Sequence, residues 1–210
     1  MSNTGREAQL GPAGAYVGHH DREGARQPKR FDPARSARLD DPARLDYLSA
    51  ETVLELLDAP LGATVLDFGA GTGFYVDEYL RLRPDLHVIA IDEQHEMLAA
   101  LRRRAWPDRF VVGGPDLLTS VAGDVQRVVA LNVLHEIGDD DLRRLVHLVG
   151  SGVPILFIDW NAAILERPGP PAAHVYDTQQ ALERLQRLGL SVTRQAALTY
   201  HYAITCEVAR

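Results

Sequence analysis

Short apolar runs alternate with amphipathic segments over most of the chain. Five runs rich in Val, Ile and Leu have the length and composition of buried parallel strands. These runs are Thr64-Val65-Leu66, His87–Ile91, Phe110–Val112, Arg127–Leu131 and Pro154–Trp160. Between them, apolar residues recur at helical spacing. Regular alternation of strand and helix predicts a doubly wound parallel sheet with helices on both of its faces.

The C-terminal part departs from this alternation. A helix capped by Asp177-Thr178 and stopping at Gly189 is followed by two strands, Leu190 to Gln195 and Ala197 to Val208. Because only a few residues separate these strands, they must pair antiparallel. The predicted fold is therefore α/β, a Rossmann-like doubly wound seven-stranded sheet with five parallel strands plus a C-terminal antiparallel pair. A nicotinamide-binding Rossmann domain would continue with a sixth parallel strand instead.

Two N-terminal segments precede the alternating region. Residues 1–30 are rich in Gly, Ala, Pro and Arg and show no helical or strand period, so they predict a flexible arm. Residues 31–210 are expected to form the main domain, with a helical lid over about residues 31–60. In this lid, a helix is expected to start within Arg38–Leu45, and Ser49 is the expected N-cap of the next helix.

Composition excludes several classes of function. With 210 residues and 46% hydrophobic content, the chain predicts one globular domain with a real core. No apolar run approaches the roughly 20 residues that span a bilayer, and the N-terminus does not resemble a signal peptide, so we expect a cytoplasmic protein without membrane insertion. The net charge of −7 argues against nucleic acid as a partner.

Metal and disulfide chemistry are not expected either. Cys206 is the single cysteine, which excludes an intramolecular disulfide and a cysteine metal cluster. His19-His20-Asp21 has no second Cys or His group nearby at ligand spacing, so no metal is predicted. A Schiff-base lysine would have to be Lys29, the only lysine, which falls in the predicted arm.

The first strand leads through Asp67 into three glycines at every second position, Gly69, Gly71 and Gly73. Glycine lets the backbone turn tightly and approach a ligand closely. The dinucleotide fingerprint needs a third small residue where Phe74 stands, and a phosphate-binding P-loop needs a Gly-Lys pair that is missing here. Since a carboxylate at Asp67 repels phosphate and attracts a cation, the turn predicts a site for a positively charged ligand.

The stretch Val65–Phe74 resembles motif I of the class I S-adenosylmethionine (SAM)-dependent methyltransferases. From Phe31 onward, the chain is similar to their quinone-biosynthesis-like (UbiE-type) branch. Asp92 lies 19 residues beyond Gly73, where Rossmann-type folds place the carboxylate that binds ribose hydroxyls.

The resemblance implies SAM as the cofactor and gives each candidate residue a place around it. The methionine and ribose side of SAM is expected to lie against Asp67, Gly69, Ala70, Gly71 and Gly73. The ribose hydroxyls are expected to bind Asp92, next to Glu93, and the adenine to bind Asp116, next to Leu117. Asn132 is expected to form the wall beside the sulfonium.

Methyl transfer to a hydroxyl or to an acidic carbon also needs a base. His135 is the candidate, with Glu136 as its possible orienting partner. His174 and Tyr176, on a proline-rich loop, are further candidates. His135 could equally cap the next helix or fill a packing gap.

Three functions stay open from the sequence. The first is an enzyme, a SAM-dependent methyltransferase acting on a small-molecule acceptor. The second is a SAM-binding sensor or regulatory protein without turnover, because no acceptor-site residue stands out. The third is an oxidoreductase with a nucleotide cofactor. The arm and the loop 161–176 are expected to cover the acceptor.

Overall fold

A computed structural model of the protein describes residues 30–104 and 108–209. It contains a single seven-stranded sheet with the order β3-β2-β1-β4-β5-β7-β6. The strands are β1 Thr64–Phe68, β2 His87–Ile91, β3 Phe110–Gly113, β4 Arg127–Leu131, β5 Ile155–Trp160, β6 Leu190–Ala197 and β7 His201–Val208. The first five are parallel, and β7 pairs antiparallel with both β5 and β6. The predicted fold class is confirmed.

The turn between the last two strands was predicted in the wrong place. β6 continues to Ala197, and the turn lies at 198–200, where the Leu198 N–H donates a 2.9 Å hydrogen bond to the His201 carbonyl oxygen. No Gly, Pro or Asn marks this turn in the sequence. In addition, the pairing of β6 with β7 shifts register between Val192 and Arg194, so side chains do not alternate regularly between the two faces along β6.

The α-helices are α1 Arg44–Tyr47, α2 Ala50–Leu57, α3 Phe74–Leu82, α4 His95–Arg103, α5 Leu118–Val121, α6 Asp139–Val149 and α7 Thr178–Arg187. Two cap predictions are confirmed. The Ser49 hydroxyl accepts the Thr52 N–H at the start of α2. Asp177 caps α7 and forms a capping box with Gln180.

The predicted helix start within Arg38–Leu45 is confirmed, because α1 begins at Arg44, but the element before it was not predicted. The lid begins with a 3-10 helix, Pro33–Asp40, and α1 follows as a separate short helix. Asp32 caps the 3-10 helix through the Ala34 N–H. A continuous helix through this region would have to cross Pro42, which cannot donate an interior helix hydrogen bond.

Two hydrophobic clusters cover the two faces of the sheet. One packs α5, α6 and α7 against the sheet, and the other packs α2 and α3. Cys206 on β7 is fully buried in the first cluster, and burial raises the pKa of its thiol to about 12. Among residues 30–104 and 108–209, none of the helices combines the length and the hydropathy of a membrane span.

Candidate active site

The carboxyl ends of the parallel strands define the candidate site. Strand order reverses between β1 and β4, which lie side by side although β2 and β3 come between them in the chain. Ligands of open α/β sheets bind at such a switch point, beyond the carboxyl ends of the strands. The sequence-predicted glycine turn follows β1, and Asp92 and Asn132 follow β2 and β4 directly.

The glycine turn needs its glycines for conformation. Gly69, Gly71 and Gly73 all have positive φ, at 79°, 58° and 85°. A Cβ atom at Gly69 would lie 2.6 Å from Cγ2 of Val133. The turn is therefore in close contact with the loop after β4, and an L side chain at Gly69 would meet both strain and collision.

Asp92 links the second strand to this turn. Its carboxylate accepts the backbone N–H groups of Gly71 and Gln94, each at 2.9 Å. Burial raises the pKa of Asp92, and these backbone hydrogen bonds oppose that effect. The structure thus brings together the two motifs that the sequence analysis paired.

Asp67 is a buried carboxyl group, 2% exposed. Burial raises its pKa to about 7, with a further increase from the nearby charge of Asp92 and a smaller opposing effect from Arg44. Arg44 belongs to the lid helix α1 and lies over the rings of Phe74 and Tyr75, at 5.4 and 4.8 Å from their centroids. No motif marked Arg44 in the sequence, because its neighbours come from distant parts of the chain.

The predicted adenine side is more open. Asp116 and Leu117 lie in a 3-10 helix after β3, and the Asp116 side chain is fully exposed, 3.2 Å from Arg144. Glu93 is exposed and forms a 2.9 Å ion pair with Arg30. Cofactor roles for these residues stay predictions.

Asn132 adopts a left-handed backbone conformation, with φ at 56°. Asparagine tolerates this region better than most residues. Its N–H donates to the Ile158 carbonyl oxygen at 2.7 Å. Its side-chain oxygen is buried and has no hydrogen-bond partner within residues 30–104 and 108–209. Such an unsatisfied acceptor is costly to bury, which marks Asn132 as a residue suited to a ligand.

His135 is buried between two carboxyl groups. Its Nδ1 lies 2.8 and 2.9 Å from the two carboxylate oxygens of Asp159, and its Nε2 lies 3.5 Å from Oε1 of Glu136. Sequence reasoning missed Asp159, whose only signal was a charged residue inside the apolar run of β5. Asp159 is fully buried and also accepts the N–H groups of His135 and Trp160, at 2.9 and 2.7 Å.

The lid lies directly on these residues. The Phe31 N–H donates to Oε2 of Glu136 at 2.7 Å. The Thr72 hydroxyl donates to Asp40 at 2.8 Å. A Cβ atom at Gly71 would lie 3.2 Å from Leu39. The lid therefore contacts the ends of both β1 and β4.

Arg184, on α7, holds the loop that carries His135. The buried guanidinium donates to the carbonyl oxygens of Leu134 and Ile137, at 2.6 and 2.5 Å, and to Asp139 at 2.9 Å. Its charge also lies over the ring of Tyr176, 5.4 Å from the centroid. Tyr176 thus packs on a structural arginine. His174, the other loop candidate, ends a 3-10 turn, Ala172–His174, and a catalytic role for either residue stays a prediction.

Comparisons with known proteins agree with this geometry. Residues 65–151 match the family described as "Methyltransferase domain". No curated protein matches the sequence. A SAM-dependent methyltransferase from Aquifex aeolicus has a similar structure, with a TM-score of 0.74 and 24% identity, over 86% of this chain and 100% of that one.

Two further structures show what this fold binds in other proteins. Human N-acetylserotonin methyltransferase in complex with SAM gives a TM-score of 0.64 at 16% identity, over 85% of this chain and 57% of that one. The glycopeptide N-methyltransferase MtfA complexed with sinefungin gives 0.59 at 19%, over 78% and 87%. Residues 65–151 thus match a methyltransferase-domain family, and the chain shares the Rossmann-like fold of solved SAM-dependent methyltransferases.

Proposed function

We propose that this protein is a SAM-dependent methyltransferase that moves a methyl group to a small-molecule acceptor. The observation that carries the proposal is the glycine turn after β1, with three positive-φ glycines, held by Asp92 at the switch point of the sheet. Such a turn presents backbone to a ligand at close range, and Asp92 still has lone pairs for ribose hydroxyls.

The residues present fit the cofactor. Bound SAM would supply an activated methyl group on a positively charged sulfur. Asp67 and Asp92 place two carboxyl groups on the side expected to hold the amino-acid and ribose parts, and Asn132 offers an acceptor without a partner among the described residues at the end of β4. Correct placement of the acceptor can supply much of the rate acceleration, about 7 to 11 kcal/mol in favourable cases.

Several observations favour a small acceptor. The lid lies across the carboxyl edge of the sheet through contacts of Phe31, Leu39 and Asp40, which leaves less room there for a macromolecule. The negative net charge disfavours nucleic acid. The fold is shared with a methyltransferase of N-acetylserotonin, and the UbiE-type branch suggested by the sequence also acts on small molecules.

Binding and turnover should be measured separately. We expect calorimetry to show SAM and its demethylated product binding, and NADH not binding. Tight NADH binding without SAM binding would instead indicate an oxidoreductase. Incubation with methyl-labelled SAM and a small-molecule cell extract, followed by mass spectrometry, should reveal a labelled product. SAM binding with no transfer to any extract component would favour a sensor.

A further inference from the structure

Three titratable side chains lie in a row that runs outward from the core, in the order Asp159, His135 and Glu136. Asp159 contacts Nδ1 of His135 at 2.8 Å, and Nε2 on the far side of the ring lies 3.5 Å from Glu136. The side chains are 0%, 4% and 17% exposed in that order. Of the three side chains, that of Glu136 is therefore the most accessible.

Asp159, at the inner end of this row, is held by several hydrogen bonds. Asp159 accepts hydrogen bonds from the N–H groups of His135 and Trp160 in addition to the imidazole contact. A carboxylate that is itself held by backbone donors fixes the orientation of the imidazole ring. With Nδ1 directed at Asp159, the second nitrogen of His135 must face Glu136.

We propose that Glu136 is the base that takes the proton from the acceptor, and that His135, held by Asp159, is a positioning residue behind it. The inference rests on the proposed function and deepens it, because a base in this place suits an acceptor with a hydroxyl group. It reverses the roles that the sequence suggested, in which His135 was the base.

One proton and one methyl group move in the proposed step. Glu136, ionised, accepts the hydroxyl proton while the acceptor oxygen forms its bond to the methyl carbon. The electron pair of the broken carbon–sulfur bond stays on sulfur and cancels its positive charge. Glu136 ends as a neutral carboxylic acid and returns its proton to solvent before the next turnover.

The groups around Glu136 suit it to this task. Burial raises its pKa to about 7. His135, on the same loop, and the Phe31 N–H, from the lid, both lower the pKa, whereas Asp159 at the end of β5 and Asp92 at the end of β2 raise it. A base with a pKa close to neutral can both take a proton and release it at physiological pH.

The lid contact links this base to closure of the site. The Phe31 N–H donates to Oε2 of Glu136, and the Phe31 carbonyl oxygen accepts a 3.3 Å hydrogen bond from Gln94, next to the ribose-binding position. Oε1 stays directed at His135. An oxygen that accepts one hydrogen bond has a second lone pair for the acceptor hydroxyl.

Two substitutions separate the roles. Glu136→Gln keeps an amide oxygen for the Phe31 N–H but cannot accept the proton, so we expect transfer of labelled methyl to the extract component to fall at least about 100-fold. SAM affinity should stay within about threefold. His135→Gln should leave more activity and move the midpoint of the pH profile upward, because His135 lowers the pKa of Glu136. Glu55→Gln, on the exposed face of α2, is the matched control.

A second measurement needs no acceptor. The carboxyl carbon of Glu136, assigned by comparing carbon-13 NMR spectra of wild type and Glu136→Gln, should titrate near pH 7. Titration near the ordinary glutamate value would overturn the inference. Full activity of Glu136→Gln would also overturn it, provided that the wild-type protein transfers methyl groups in the same assay. A wild-type protein that binds SAM but methylates nothing removes the proposed function itself, and with it the acceptor-facing role of Glu136.

Discussion

The carboxylate of Asp92 accepts a 2.9 Å hydrogen bond from the backbone N–H of Gly71. This contact joins the end of β2 to the glycine turn after β1, so one side chain both shapes the turn and faces the position expected for the ribose. Loss of Asp92 should therefore affect cofactor affinity through two routes.

Asp92→Ala should weaken SAM binding by about 1.5 to 3 kcal/mol through the loss of charge-assisted hydrogen bonds. Isothermal titration calorimetry measures this directly. The matched control is Asp124→Ala, because Asp124 is exposed and lies before β4, at the opposite edge of the sheet from the site. Unchanged affinity in the Asp92 variant would refute the ribose role.

Asp67→Asn should stabilise the ligand-free protein most at high pH. The folded-state pKa of Asp67 is raised to about 7, so the wild type loses stability as pH rises from the unfolded value of 3.8 through 7. We expect the gain from asparagine to be larger at pH 8 than at pH 5 by about 2 kcal/mol. Urea unfolding at the two pH values tests this, with Asp124→Asn as the control.

At pH 8, above the pKa of Asp67, the same Asp67→Asn variant should bind SAM more weakly, because a negative charge on the side expected for the methionine part is lost. A gain in stability together with a loss of affinity is the pattern expected of a group kept for function. An equal gain at pH 5 and pH 8 would contradict the raised pKa.

Gly69→Ala should destabilise the fold by about 2 to 4 kcal/mol, because the added Cβ meets Val133 at 2.6 Å in a left-handed backbone. Gly123→Ala is the control, since a Cβ there has no atom within 4 Å. Denaturant unfolding compares the two. The double variant Gly69→Ala, Val133→Ala should recover the part due to collision and leave the part due to backbone strain. No recovery at all would show that collision with Val133 is not a source of the loss.

Arg184→Ala should cost about 3 to 5 kcal/mol of stability, because it leaves Asp139 and two buried carbonyl groups without their partner. Arg187→Ala, on an exposed position of the same helix, should cost little. Equilibrium unfolding in urea distinguishes them. Similar losses in both variants would mean that Arg184 does not hold the loop.

The sheet could be predicted well because its strands are marked locally. β2 and β4 begin and end as the apolar runs do, since parallel strands buried on both faces need unbroken hydrophobic stretches. The lid could not be predicted in the same way. Its 3-10 helix is set by prolines and by contacts of Asp40 with Thr72 and Arg104, which lie far away in the chain.

In the candidate site, too, some residues have a local sequence signal and others do not. Asp67, the glycine turn and Asp92 are adjacent to strand ends and carry their signal in local spacing. Arg44 carries no such signal, because it acts on Asp67 through its charge from a lid helix distant in the chain. Asp159 is marked only as a charged residue in an apolar run, and nothing local names His135 as its partner. Sequence reasoning finds the residues that a strand end presents, but not the distant groups that adjust their charge.

The deep burial of Cys206, the single thiol of the chain, has a practical consequence. A maleimide dye requires a thiolate that solvent can reach, and this thiol is both enclosed and hard to ionise. A cysteine introduced at exposed Ala37 could thus be labelled selectively without removing the native one. Fluorescence from that position would report whether the 3-10 helix Pro33–Asp40 moves when SAM is added.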